Sequence, residues 1–433
     1  MNDSSTESCA VPDPRKAGTP TPAPSLQDPN RFYRWAVVGM LWSVSFFNYA
    51  DRSALSAVMP LVKAQLQLND AQLGFLSSSF LWVYAGAAVF VGYIGDRFPR
   101  KNVILGGLVF WSLMTFITPF AFTFALFAIC RALTGLGEAA YYPAGTALIG
   151  DYHSAATRSR ALSLHQTAVF VGGGIGTVIA AFIAEHYRWQ YAYFLYGALG
   201  WLLAIILLFT MRREPNKQVG AKVGSDVSAS FSLRALLVNR SLRILSLLFF
   251  TANFVVWALN IWIPTYLNRE LHLSLTEAGF YGGTILNAAS LAGVLLGGVI
   301  ADRLIKQTRL GRFYILGGSL LSSGLFVFLI GWAHALPLLA LCLAFAGFLK
   351  GIFDANIYAA VHDVVVPRAR STAVGLLTTI GFAGGGLSPL IIGLSTAHLG
   401  LGTALSLTAF LYLLGGALVL LARNVFSGDL VAA

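Results

Sequence analysis

Charge is scarce in this sequence: Asp, Glu, Lys and Arg supply 11% of its 433 residues, against 57% that are hydrophobic. A water-soluble domain holds about 25% charged residues, so this chain cannot cover itself with polar surface and needs lipid around it. Acidic residues are the rarer sign, 18 against 29 basic ones. The basic excess does not point to nucleic acid, because those residues are dispersed in short loops with no recognition module beside them. Cysteine is nearly missing, and Cys9, Cys130 and Cys342 give no disulfide framework; they read as ordinary reduced residues. There is no Gly-x4-Gly-Lys-Ser/Thr run, so ATP-driven chemistry has no support. The glycines of Gly172–Gly176 follow no strand and lie in an apolar run, where close helix packing is the expected role. Histidines are scattered and no nucleophile sits beside a base on a recognisable motif, so neither catalytic nor metal-ligating residues are expected. The first thirty residues are rich in Pro, Ser and Thr and lack an apolar core segment; they read as a disordered cytoplasmic tail and not as a signal peptide.

Long apolar runs are what the chain has in abundance. They recur near 35–61, 72–95, 103–121, 123–147, 160–184, 190–210, 243–267, 276–300, 313–333, 336–362, 371–395 and 401–423, each about the twenty residues that a helix needs to cross a bilayer. The 103–147 stretch must be divided at Thr118–Phe120. The expected fold is therefore all-α and integral to the membrane, with twelve transmembrane helices. If the amino terminus is cytoplasmic, the external loops carry only Lys63, Arg188 and Arg269 among the basic residues, and nearly all the rest lie inside. That asymmetry predicts cytoplasmic termini, in a bacterial-type inner membrane, and makes the lipid bilayer the chain's first partner. The longest polar break separates six spans from six. The expected organisation is a tail at 1–30, a six-helix bundle at 31–211, a cytoplasmic linker at 212–242, a second bundle at 243–424 and a tail at 425–433.

The halves echo one another. Gly92–Lys101 reads GYIGDRFPRK and Gly297–Lys306 reads GGVIADRLIK, each placing Gly-x-x-x-Asp-Arg at a cytoplasmic helix end. The first of these resembles the signature loop of the major facilitator superfamily, with Asp96, Arg97, Arg100 and Lys101 on its charged positions and Pro99 where glycine is usual. The resemblance implies two pseudo-symmetric six-helix halves with substrate held between them. Together with Asp302 and Arg303, these charges are candidates for gating, through salt bridges that form in one state and break in the other.

Three further patches put charge inside the spans: Asp51 and Arg52, Arg131 and Glu138, and Lys350 and Asp354. Ionisable groups at that depth are costly and usually mark substrate or proton pathways. Arg131 and Glu138 share a helix face about 10 Å apart, too far to pair, so each must meet another group such as Asp51, Arg52 or a ligand. Lys350 and Asp354, four apart, can pair directly. Arginine stays protonated and offers a planar fork of donors to a carboxylate or phosphate, which makes Arg52 and Arg131 candidate anion ligands. Asp51 and Glu138, caught between desolvation and neighbouring cations, are candidate proton carriers.

Tyr-x-Asp-Arg at Tyr49–Arg52 and the Arg-x6-Glu of Arg131 and Glu138 resemble the anion:cation symporter branch of that superfamily. The resemblance implies that Asp51 and Glu138 couple protons while Arg52 and Arg131 hold a small organic anion, with Tyr49 in the same motif and Gln166 at a nearby polar position. NYADR, the GEAAY of Gly137–Tyr141, RSRALS (Arg158–Ser163) and VVVPRARSTA (Val364–Ala373) also look like the spinster branch, whose members export lysolipids and sphingolipid phosphates. The shared charges fit either branch. Asn260 and Asn356, with Trp257 and Trp262, are expected to line the second half of the cavity, and His165 is expected to be a packed residue. The predicted function is a monomeric proton-coupled symporter of a sugar acid or other monocarboxylate, with protons and no other cofactor. The alternatives are a spinster-like exporter and a non-transporting sensor of the same fold.

Overall fold

A computed structural model of the protein describes residues 31–212, 233–366 and 369–430; within these, the side chains of residues 31, 89, 91–97, 155, 156, 159, 233–235 and 371 are not described. The chain forms helices throughout: α1 (Arg31–Leu66), α2 (Asp70–Arg97), α3 (Arg100–Ile117), α4 (Phe124–Ala139), α5 (Tyr141–Tyr152), α6 (Ala155–His186), α7 (Gln190–Thr210), α8 (Leu233–Val238), α9 (Arg240–Glu270), α10 (Leu275–Gly279), α11 (Leu286–Ile305), α12 (Gly311–Ile330), α13 (Leu336–Val364), α14 (Arg370–Leu399), α15 (Leu401–Leu407), α16 (Ala409–Leu421) and α17 (Arg423–Asp429). Helix is the only open spanning structure whose backbone bonds close within the segment, which is why apolar runs of this length fold so. Among the described residues, 10 helical segments are long and apolar enough to cross a membrane, α4 with α5, α10 with α11 and α15 with α16 each counting as one. The long rods α1 (36 residues) and α2 (28 residues) pack among them; α1 carries the charges that motivate the site.

Polar side chains mark the helix starts. Thr123 caps α4 by accepting from the Leu126 N–H, Asn239 caps α9 through Leu242, and Ser274 with Glu277 forms a reciprocal capping box on α10. The expected break at Thr118–Phe120 is a single 3-10 turn. Between α10 and α11 a wide turn at Phe280–Ile285 places Gly282 against Pro264 and Gly283 against Thr177, where an added methyl would stand 3.1 Å from Pro264 N and 2.8 Å from Thr177 Cβ.

Two expectations about the connecting segments change. Part of the 212–242 linker is helical: α8 and the start of α9 occupy its end, while residues 213–232 lie outside those described. The 425–433 segment, expected to be a tail, is α17 as far as Asp429. Phe426 is buried and stacks on Phe313 at 4.2 Å, and Asp429 accepts from Ser241 Oγ at 2.8 Å, so an apolar anchor and a cap hold the segment down. The 1–30 tail, with Cys9, lies outside the described residues, whereas Cys130 and Cys342 are buried free thiols.

The repetition is legible in three dimensions. Arg100 at the start of α3 pairs with Asp151 near the end of α5, and Arg312 at the start of α12 pairs with Asp363 near the end of α13. Both partners are 51 residues apart. Within each half, glycines bring helices to van der Waals contact, as Gly172 does against Phe46 of α1 and Gly351 against Ser290 of α11.

Between halves, α2 lies along α14 and α6 along α10 and α11. Among the described residues, the hydrogen bonds and ion pairs that cross between halves gather in the part of the bundle away from the chain termini. Asp70 accepts from Arg269 at 2.9 Å as well as from Lys63 at 2.7 Å. Glu185 accepts from the Thr276 N–H at 2.7 Å, and Ser78 Oγ from the Leu390 N–H at 3.2 Å. Burial pushes the Asp70 carboxyl up, but hydrogen bonds from Lys63 and Arg269 outweigh it and hold the group below its ordinary value of 3.8. A depressed value means that this contribution is present above the unfolded pKa and lost as pH falls through the folded one. We therefore expect acidification below pH 4 to remove a stabilising increment that Asp70→Asn lacks at every pH. A half-buried cluster near the bundle surface contributes about 1 kcal/mol or less, which corresponds to about 2 °C or less in melting temperature; equal pH profiles in the two proteins would refute it.

Candidate functional site

Consecutive residues on a helix project about 100° apart, so Asp51 and Arg52 of α1 face different neighbours. Arg52 turns to α4. Its Nη2 donates to Glu138 Oε2 at 2.7 Å and its Nε to the same oxygen at 3.2 Å. One turn back on α1, Asn48 Oδ1 accepts from Nη2 at 3.2 Å. Asp51 turns to α3, where Thr115 donates to its Oδ2, and Arg131 stands near enough to act on its charge. All four ionisable residues are almost sealed, with exposures of 3% for Asp51, 7% for Arg52, 2% for Arg131 and 1% for Glu138.

Aromatic faces complete the enclosure. The Arg52 guanidinium carbon lies 4.6 Å from the Tyr49 ring centre, 4.7 Å from Tyr84 and 5.0 Å from Phe80. Trp257 of α9, from the other half, stands at 5.8 Å. Arg131 lies 4.8 Å from the Phe80 ring, so one phenyl ring of α2 contacts both arginines. Each site is favourable for a cation, yet the rings accept no hydrogen bonds. Asp51 Oδ1, Arg52 Nη1, Arg131 Nε and Glu138 Oε1 are buried without a hydrogen-bond partner among the described residues. Buried polar atoms are normally satisfied; four unsatisfied ones converging on a single charged centre are spare capacity for an anion, a proton or solvent.

Toward the chain termini a second polar layer follows. Tyr142 donates to Gln166 Oε1 at 2.8 Å. Tyr141 donates to the Leu41 carbonyl and lies 2.6 Å from His165 Nε2, so His165, 1% exposed, is held in packing as expected. On the second half, Asn260 accepts from Asn287 at 3.1 Å while remaining half-buried. Lys350 and Asp354 of α13 pair at 2.5 Å.

Several expected site residues fall elsewhere. Asn356 donates to Gly297 O and Ile352 O and is buried against α11, and Trp262 donates to Pro389 O inside the second half; both are committed to packing and leave the cavity lining. Arg100 and Lys101, proposed for gating between halves, are bound within the first half. Arg100 pairs with Asp151; Lys101, buried by its long apolar stem, donates to Leu208 O at 2.7 Å and to Met211 O, carbonyls left open by the end of α7. Asp302 and Arg303 are exposed and make no ion pair among the described residues. The side chains of Asp96 and Arg97 lie outside those described. Sequence reasoning missed Asn48, Phe80, Tyr84, Thr115 and Asn287. Asn48 could have been found by its i–4 spacing from Arg52; the others look like any packed aromatic or polar residue until the helices are brought together.

Comparison with known proteins places this arrangement in context. The family model described as Major Facilitator Superfamily matches residues 41–318 and 307–429. The chain is 30% identical over 381 residues to protein spinster homolog 1 of Xenopus laevis, covering 82% of this chain and 72% of that protein. It is 28% identical over 392 residues to the probable galactarate/D-glucarate transporter GudP of Bacillus subtilis, covering 83% of this chain and 85% of that protein. Its fold matches the crystal structure of a bacterial homolog to the human lysosomal transporter spinster, in an inward-facing and occupied conformation, with a TM-score of 0.81 and 21% identity over 93% of this chain and 100% of that one.

Proposed function

The chain belongs to the major facilitator superfamily, so it is a multi-pass membrane transporter and not an enzyme, and from that premise we propose that it is a proton-coupled symporter of a small organic anion, working by alternating access. The observation that carries the proposal is the Arg52–Glu138 ion pair, sealed at 2.7 Å beside Asp51 and Arg131. Breaking a buried pair by removing one charge costs about 3–5 kcal/mol, so Arg52 does not stand alone: it holds Glu138 or it holds an anion. Protonation of Glu138 releases the guanidinium, an anionic substrate takes it, and departure of both restores the pair. Asp51 with Arg131 and Thr115 repeats the exchange one residue away. Substrate and proton thereby become mutually required, which is the condition for symport, and protons are the only coupling species needed.

The topology that serves this mechanism has twelve spans, α1 and α2 included, with both termini in the cytoplasm of a cell bounded by its inner membrane; the basic residues of the connecting loops support that orientation. The protein acts as a monomer, since each polypeptide carries both halves of the pathway. In this orientation the bonded end is external. A second reading, export of a lysolipid or sphingolipid phosphate, is favoured by the identity to spinster homolog 1 and by the aromatic faces around Arg52, which suit an amphiphile.

A thermal-shift measurement on the detergent-purified protein separates the two. A ligand at about a hundred times its dissociation constant stabilises by about 2.7 kcal/mol. D-Glucarate is expected to raise the melting temperature of the wild type and not of Arg131→Ala. Stabilisation by lysophosphatidate alone, beyond that of an uncharged lysolipid, would transfer the conclusion to the lipid reading.

A further inference from the structure

Lys350 and Asp354 are the charged pair that the mechanism above does not use. They lie on α13 one turn apart, and Tyr358 continues the same stripe one turn further. Beside this stripe the helix is packed on α11 and the turn before it: Gly347 and Gly351 abut Leu286 and Ser290, and Asn356 bonds to Gly297 O. Tyr358 lies within electrostatic reach of both Asp354 and Tyr49, and Tyr142 lies within reach of Tyr358, so the Tyr358 end of the stripe lies near the first half. The rest of its surroundings are aromatic or neutral: Phe249 of α9 at 5.6 Å from the Tyr358 ring, Thr378 of α14 bonded to Tyr358, and Tyr412 of α16 within reach of Asp354. Among the described residues no further ion pair joins either charge.

The two partners are unequally buried. The Lys350 side chain is 5% exposed and that of Asp354 is 31% exposed. Lys350 Nζ also lies 5.4 Å from the Phe353 ring centre. The cation is thus fixed in the wall, whereas the carboxylate is the more accessible partner and the freer of the two to leave. A buried ammonium tolerates exchange of one anionic partner for another far better than loss of both.

We propose that Lys350 is the second half's anion-binding cation and that Asp354 occupies it as an internal stand-in for the carboxylate or phosphate of the substrate. The proposal rests on the anion-transport reading above and extends it. Substrate held by Arg52 in the first half and Lys350 in the second spans the two bundles, so loading couples them. Departure returns Asp354 to Lys350 and leaves no unpaired charge in the membrane.

The test compares variants whose effects differ in sign. Binding of radiolabelled D-glucarate, and in a parallel arm lysophosphatidate, is measured on the full-length protein purified in detergent, with melting temperature recorded for each variant. Lys350→Gln is expected to weaken binding by about tenfold or more, and Lys350→Arg to recover most of it. Asp354→Asn removes the competitor and is expected to tighten binding about threefold or more, although both Lys350→Gln and Asp354→Asn break the same pair. The arm that shows this inversion identifies whether the anionic group is a carboxylate or a phosphate. A purely structural pair would shift both variants the same way, in step with melting temperature, and that result, or unchanged binding in both, overturns the proposal while the wild type still binds. Failure of the wild type to bind either probe overturns the anion reading and this proposal together.

Discussion

Glu138→Gln is expected to abolish uphill, pH-driven accumulation of D-glucarate in proteoliposomes while sparing exchange of labelled for unlabelled D-glucarate. Glutamine matches glutamate in shape and leaves a carbonyl for Arg52, but it carries no proton to trade. The guanidinium is then permanently in the state that protonation of Glu138 produces, so binding should vary less with pH between about 5 and 8 than in the wild type, with only the part that Asp51 supplies remaining. Accumulation should fall at least tenfold, to the level set by the substrate's own gradient, at equal amounts of protein. Retention of wild-type accumulation would remove Glu138 from coupling and leave the Arg52 contact a structural one. Stability provides a separate readout, because an Arg52 left against a neutral amide at 4% side-chain exposure keeps a buried charge whose partner is gone. The single variant should melt below the wild type by an amount in line with about 3 kcal/mol. Arg52→Met combined with Glu138→Gln should recover that stability without recovering transport, since removing both charges abolishes the desolvation penalty along with the exchange.

The second large effect concerns the join between halves. Gly74 of α2 lies so close to α14 that an added methyl would stand 2.8 Å from Pro389 C and 2.9 Å from Leu390 Cα; Gly393 of α14 returns the contact, 2.9 Å from Asp70 C. Those neighbours are backbone atoms and cannot turn aside. Gly74→Val therefore should not fit the closed end and should shift the protein toward the state in which α2 and α14 part there. Turnover is expected to drop more than tenfold, and a cysteine placed at Ser78, now fully buried, should become reactive to a membrane-impermeant maleimide. The fold itself should survive, because the clash is between halves that must separate in every cycle. Gly351→Val is the contrast: its Cβ would stand 2.9 Å from Ser290 C within one half, an overpacking that costs about 1–3 kcal/mol in every conformation and should lower the melting temperature without opening the end. A Gly74→Val protein that turns over normally would show that this contact does not take part in the cycle.

Much of the site was legible before any helix was placed. The composition demanded lipid, the recurrence of apolar runs gave the rods, and the repeated Gly-x-x-x-Asp-Arg gave the two halves. Charges buried in apolar runs announced themselves because so little else in those runs is polar. The four-residue spacing of Lys350 and Asp354 specified their pairing, since contacts one turn apart follow from helix geometry alone. The loop charges fared differently. Arg100 looked like a gate because it stands in a repeated loop motif, yet its partner is Asp151, 51 residues on, and nothing in either segment points to the other.

That contrast has one physical origin. A helical sequence fixes which residues share a face and how deep each lies, because rise and turn per residue are constant; by itself it therefore determined the membrane class, the halves and the identity of the buried charges. Which face meets which neighbour depends on helix rotation and on the close approaches that glycines permit, and these are set by packing across the whole bundle. Only the tertiary structure decided that Arg52 takes Glu138, 86 residues away, that Asp51 turns instead to Thr115 of α3, and that Asn356 is spent on the Gly297 carbonyl while Asp354 stays partly exposed.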